Sequence, residues 1–143
     1  MATATDKLRL RVATPKSVKY DKSADMVILR CITGDWGILP KHEASSAILD
    51  YGVLRIFRDG QERRMAVFGG IAQVKDNVVT VLANDAEWPE DIDKALVEAE
   101  HERLKNRTHD STNLREMQRE QVNLRRTLVQ IEVSTYPLIS RVD

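Results

Sequence analysis

Hydrophobic and polar residues alternate from the first ordered-looking stretch of the chain. In "KLRLRV", Leu8, Leu10 and Val12 are separated by basic residues. A period of two places one set of side chains on each face of a strand. "DMVILRCI" is a denser apolar run, expected to form a central strand buried on both faces. "VLRIFRDGQERRMAVF" holds two β-prone runs around Asp59-Gly60, a strong hairpin signal, and "IAQVKDNVVTVLA" repeats the arrangement around Asp76-Asn77. Short strands joined by turns at this spacing indicate an antiparallel β-sandwich or flattened barrel over residues 1–88.

After Trp88-Pro89 the period changes. Ile92, Ala95, Leu96 and Ala99 fall at i, i+3, i+4 and i+7, and Leu104 extends that stripe. The polar connector "NRTHDST" has helix–helix length. Leu114, Met117, Gln121, Leu124, Leu128 and Ile131 then occur at a 3,4,3,4,3 spacing, which predicts a coiled-coil-like seam with Gln121 as its polar interruption. Asn113 followed three residues later by Glu116 is a capping-box pattern, and Pro137 ends the regular part. Residues 89–143 therefore read as a two-helix hairpin with a short tail. Its apolar side chains are too few to offset the cost of ordering it alone, so it needs a surface, either the sandwich or a partner.

Charge adds detail to that hairpin. The whole chain of 143 residues balances 22 basic against 22 acidic residues. No global field draws it to nucleic acid. Locally, Glu90, Asp91, Asp93, Glu98, Glu100 and Glu102 make the first helix acidic, while Arg103, Lys105, Arg107, Arg115, Arg119, Arg125 and Arg126 make the stretch from 103 to 126 basic. A solvated face with i,i+4 pairs accounts for this, as does a basic helix that meets an acidic protein surface.

Candidate chemistry is sparse. His42, His101 and His109 lack a second ligand at metal spacing, and Ser45-Ser46 near His42 lacks a nucleophile-elbow context. Gly69-Gly70 is no phosphate loop; it suits a close backbone approach or a bulge. No catalytic site, metal or cofactor is expected. Cys31 is the single cysteine, so an intrachain disulfide is impossible and a reducing compartment is expected, with the thiol in the core. No apolar run reaches the ~20 residues that cross a bilayer. The start has the features of neither a signal peptide nor an import leader.

"GDWGILPKHEAS", residues 34–45, stands apart. Two glycines bracket Asp35 and Trp36, and Pro40 leads to His42. The pattern reads as a turn with Trp36 at its tip, forming either a contact surface or a lid folded back over the core. "TGDWGILPKHEA" resembles the corresponding loop of the epsilon subunit of F-type ATP synthases, and "YGVLRI", "FGGIAQV" and "NVVTVLANDAE" resemble that family's successive strands. The resemblance covers nearly the whole chain and is strongest over residues 34–87.

This resemblance implies a non-catalytic rotor component of a proton- or sodium-translocating synthase. Its sandwich would sit at the foot of the central stalk, against the gamma subunit and the polar loops of the membrane c-ring, with Asp35, Trp36 and His42 on the contact loop. Its helices would lie on the sandwich or extend toward the alpha and beta subunits and inhibit ATP hydrolysis, with Arg115, Arg119, Arg125 and Arg126 as the cations involved. Membrane contact would come only through the complex, on the cytoplasmic face of a bacterial inner membrane. Some family members bind ATP through Ile/Leu-Asp-x-x-Arg-Ala in the first helix. Here Leu96 replaces that arginine, which argues against ATP binding by that route. Read without the resemblance, the same layout suits an adaptor outside any motor.

Overall fold

The computed structural model describes residues 7–107 and 113–135. The expectations for His109, Pro137 and the tail beyond residue 135 lie outside the described residues. Eight strands among those residues, β1 (Leu8–Ala13), β2 (Val18–Ala24), β3 (Met26–Cys31), β4 (Gly34–Ile38), β5 (Ser45–Arg58), β6 (Gln61–Lys75), β7 (Val78–Ala83) and β8 (Ala86–Glu87), form one sheet. The order is β2-β1-β7-β6-β5-β3-β4, with β8 pairing β6. All pairs are antiparallel except β1 with β7. The sheet folds over itself into a sandwich without closing, leaving β2 and β4 as its edges.

Both hairpin signals hold. Asp59 (φ 53°) with Gly60 (φ 77°), and Asp76 (φ 50°) with Asn77 (φ 63°), each place two consecutive residues in the left-handed region. That twist matches the flanking strands, so two residues suffice to reverse the chain. Leu8, Leu10 and Val12 face the core as the alternation predicts, together with Leu29, Leu54 and Ile56, all at most 2% exposed. Cys31 is buried among them, and burial raises its thiol pKa.

β3 departs from expectation. It lies next to the edge strand, and only Val27, Leu29 and Cys31 point inward. Ile28 is half-buried and Arg30 is exposed. The density of apolar residues therefore reflects an outer face that is partly covered, not a strand buried on both sides.

The long strands β5 and β6 give the sandwich its two outer surfaces. Before Gly69 the odd-numbered Met65 and Val67 face the main core; after Gly70 the even-numbered Ala72 and Val74 do. Pairing with β5 stays in register throughout, so the inversion comes from backbone rotation at Gly69 (φ 77°) and Gly70 (φ 133°). A Cβ on Gly70 would lie 2.2 Å from the Leu82 carbonyl oxygen. Close backbone approach thus accounts for Gly70, whereas Gly69 is accounted for by its left-handed φ. On one side of this corner Ala66 and Phe68 point outward, and on the other side Ile71 does.

A 3-10 turn at Pro89–Asp91 leads into α1 (Lys94–Arg107) and α2 (Leu114–Thr135). The Asn113 side-chain oxygen accepts from the Arg115 N–H at 3.0 Å and caps α2. Val129 and Val133 of α2 pack on Ala66 and Phe68, bordered by Tyr51, Val53 and Ile92. Toward α1, α2 buries Glu120 and Thr127, while α1 buries Leu104.

The predicted seams are therefore corrected. Leu114 and Leu128 are 69% and 53% exposed, Gln121 is exposed, and Leu96 of the α1 stripe is 67% exposed. Helix α2 has two partners, a sheet and a helix. The sheet selects the Val129/Val133 face, which lies off the 3,4 seam.

Candidate functional site

The residues singled out from the loop 34–45 occupy an edge strand and the chain just after it. Asp35, Trp36 and Gly37 belong to β4, and the reversal is made at Ile32–Thr33. Trp36 is therefore not a turn tip. Its partner across the ladder is Leu29, whose side chain is in the core, so the indole points inward and packs against the main apolar cluster. His42 contacts it edge-on, with ring centroids 5.7 Å apart, and its Nδ1 lies 2.8 Å from the Glu43 carbonyl oxygen. Asp35 points the other way. Its carboxylate accepts from Arg30 Nε at 2.6 Å on the exposed face, and this bond is the main reason the Arg30 pKa is raised. The structure thus brings Trp36 and His42 together and separates Asp35 from them.

Beside this strand lies an apolar surface that the sequence pattern did not reveal. Ile48 pairs with Ile71, and Ile71 pairs with Leu82, across three neighbouring strands. The Ile32 N–H donates to the Ile48 carbonyl at 3.1 Å, which adds a fourth side chain to the row. All four are at least half exposed. Ile32, Thr33, Ile48, Ile71 and Gln73 border a groove of about 470 Å³ here. The signal was present in "SSAIL", "GGIAQV" and "VTVLA", where apolar residues occupy both parities of an outer strand. A solvated outer face would have alternated.

The four arginines predicted to act together divide into two kinds. Arg115 and Arg119 are exposed near the start of α2. Arg125 and Arg126 are engaged on the sandwich. Arg125 pairs with Asp50 and its guanidinium lies over the Tyr51 ring, 5.2 Å from the centroid. Arg126 donates to Asp85 at 2.8 Å, lies 3.6 Å from Glu87, and sits over the Phe68 ring at 4.0 Å. Gln130 Nε2 also donates to Glu87 at 2.6 Å. Burial acts to raise the Asp85 pKa, but hydrogen bonds from Arg126 and the Ala86 N–H outweigh it, and the net shift is downward.

Between the helices the contact is polar. Thr127 Oγ1 donates to the Leu124 carbonyl at 2.8 Å, so it can only accept from His101 Nδ1, 2.9 Å away. That assigns the proton to Nδ1 of His101. Glu120 is 7% exposed and lies 3.8 Å from Arg107. No group of three His, Cys, Asp or Glu side chains among the described residues is arranged to hold a metal, and no described helix is long and apolar enough to cross a membrane.

Comparison with known proteins places this geometry. A profile described as "ATP synthase, Delta/Epsilon chain, beta-sandwich domain" matches residues 7–89. The ATP synthase epsilon chain of Bacillus subtilis (strain 168) is 39% identical over 111 residues, covering 76% of this chain and 84% of the relative. The epsilon chain of Prochlorococcus marinus (strain NATL2A) is 43% identical over 99 residues, covering 69% and 73%. Among solved structures, a chain in the Euglena gracilis mitochondrial ATP synthase, described as OSCP/F1/c-ring in rotational state 1, superposes with a TM-score of 0.80 at 19% identity, over 94% of this chain and 85% of that one. This last likeness shows the shared fold.

Proposed function

Because the chain belongs to the ATP synthase delta/epsilon family, as an epsilon chain, we propose that it is a non-catalytic rotor subunit whose sandwich couples the gamma subunit to the c-ring and whose α2 acts as a movable brake on ATP hydrolysis. The observation that carries the reading is the row Ile32, Ile48, Ile71 and Leu82. Four exposed aliphatic side chains across paired strands form a surface for protein contact, without the convergent polar groups that chemistry requires. The row adjoins the Ile32–Thr33 reversal, so a partner seated on it also reaches the β3–β4 hairpin.

In this reading Asp35 offers its carboxylate, already paired with Arg30, to polar c-ring loops. Trp36 holds the edge strand from the core side and supports His42, a positioning part that differs from an exposed anchor. Arg115 and Arg119 are the cations already available to acidic segments of the alpha and beta subunits; Arg125 and Arg126 become available when α2 leaves the sandwich. The chain works on the cytoplasmic face of the bacterial inner membrane and reaches the membrane through the assembled synthase.

Assembly tests the docking half. The pair Ile48→Glu with Ile71→Glu keeps both positions in their strands while placing charge on the row. The variant chain is expected to fold yet fail to co-assemble with gamma and the c-ring. Normal assembly and normal coupled ATP synthesis overturn the docking surface. Truncation after Arg107 tests the brake: hydrolysis by the reconstituted head is expected to rise, and unchanged hydrolysis assigns the helices a structural role only.

A further inference from the structure

The sandwich carries its own acidic counterpart to the arm. Asp50 in β5 and the neighbouring pair Asp85 and Glu87, at and just before β8, come from two separate parts of the sheet, yet all three converge on two consecutive arginines of α2. The Arg125–Asp50 pair spans 75 positions of sequence and the Arg126–Asp85 pair 41. Each guanidinium also has an aromatic ring beneath it, Tyr51 for Arg125 and Phe68 for Arg126. A planar cation held between a carboxylate and a ring is orientationally fixed in a way that a solvated surface arginine is not. Below these contacts the apolar attachment of α2 is small, consisting chiefly of Val129 and Val133 on Ala66 and Phe68. The docked position thus depends on charge contacts as well as on this apolar patch.

We propose that Asp50, Asp85 and Glu87 form a latch that holds α2 against the sandwich by occupying Arg125 and Arg126. Those two cations cannot pair with the sandwich and with an acidic surface elsewhere at the same time. The carboxylates therefore compete with any external acidic partner, and loss of the latch favours the undocked arm. This consequence for hydrolysis rests on the brake reading above; the latch itself does not.

The triple variant Asp50→Asn, Asp85→Asn, Glu87→Gln separates the two. It removes three charges while keeping an oxygen at each position for the Tyr51 and Ala86 N–H groups that Asp50 and Asp85 also accept. It leaves every lysine and arginine in place, so tryptic sites are unchanged. Native-state trypsin cleavage reports the population of open arm when opening is fast relative to cleavage. In the isolated full-length chain, cleavage within α2 is expected to rise about tenfold, in keeping with the summed worth of partly exposed ion pairs. Cleavage in the strands should not change. Raising salt from about 0.05 M to about 1 M should accelerate α2 cleavage in the wild type and have little further effect in the variant, because screening acts on the same contacts.

Cleavage of α2 within twofold of wild type, or an equal salt response in both proteins, overturns the latch. With the reconstituted catalytic head, the triple variant should inhibit hydrolysis more strongly than wild type, opposite in sign to truncation of the arm. Faster α2 cleavage with unchanged hydrolysis upholds the latch and rejects the brake.

Discussion

The sandwich and the hairpin are held together by different forces. The sandwich buries a continuous cluster contributed by β1 through β7, including Leu10, Val12, Val27, Ile38, Met65 and Val79 at 0% exposure. The hairpin touches it through a small cluster, Ala66, Phe68, Val129 and Val133, surrounded by ion pairs and cations over rings. Apolar burial of the first kind is insensitive to salt and does not exchange readily for another partner. Charge contacts of the second kind are sensitive to salt, and another acidic surface can replace them. One chain thus contains a body held by extensive apolar burial and an arm attached through a small apolar patch and charge contacts.

The largest effect that would expose this difference is in the main core. Leu54→Ala, at a position 1% exposed, should cost about 2–5 kcal/mol and lower the denaturant midpoint of sandwich and hairpin together, because the arm loses its bed. Circular dichroism for the helices and tryptophan fluorescence for the strands should both move. If the helical signal persists after the strands melt, the hairpin is stable without the sandwich and the comparison fails.

A smaller, local loss is expected from Val133→Ala. Removing its buried methyl groups should weaken docking by about 1–2 kcal/mol while leaving the strand transition in place. Hydrogen exchange of α2 amides, read beside those of β5 and β6, distinguishes the arm from the body. A parallel loss of protection in both would mean that they form one cooperative unit.

Acid should act on both regions. The pKa values of Asp85, Asp25 and Glu62 are all lowered in the fold. Asp85 is held down against its burial, whereas hydrogen bonds from Lys7 and from Arg55 lead for Asp25 and Glu62. A depressed carboxyl contributes stability above its unfolded value, about 3.9 for Asp, and loses it as pH falls through the folded pKa. Docking of α2 should therefore be flat from about pH 5 to 8 and weaken below about pH 4. Methyl NMR shifts of Val129 and Val133 would track this. Movement centred near neutrality would contradict the assignment to Asp85.

The smallest effect is expected at Leu128, which belonged to the predicted seam but is half exposed. Leu128→Ala should change stability by no more than about 0.5 kcal/mol. A loss of 2 kcal/mol or more, near the size expected for a buried leucine, would restore the coiled-coil seam and contradict the packing described here.

The contrast between those two helix positions shows what the sequence can convey. Asp59-Gly60 and Asp76-Asn77 were readable because a two-residue reversal constrains its own φ values and needs no distant partner. The alternation in β1 was readable for the same reason. The face of α2 was not, since periodicity identifies possible faces without saying which meets the sheet. That choice depends on Ala66 and Phe68, which alternate with the core-facing Met65 and Val67 and so present an apolar patch on the outer face of β6. Trp36 was misplaced because its flanking glycines suggested a tip, whereas pairing with Leu29 turns it inward. The exposed aliphatic row was present in the sequence as apolar residues of both parities, but it became visible as a row only once the strand neighbours were known. Arg125 and Arg126 were recognised as cations of interest, while Asp50 and Asp85 lay too far along the chain to be linked with them.

The central claim, a stable body with a separately releasable arm, is tested most directly by native-state hydrogen exchange of the intact chain across low denaturant concentrations. The account predicts that amides in α2 exchange through an opening of lower free energy and smaller denaturant dependence than amides in β5, β6 and β7, and that added salt lowers the first without lowering the second. A single shared opening free energy for α2 and the strands, unaffected by salt, would contradict it.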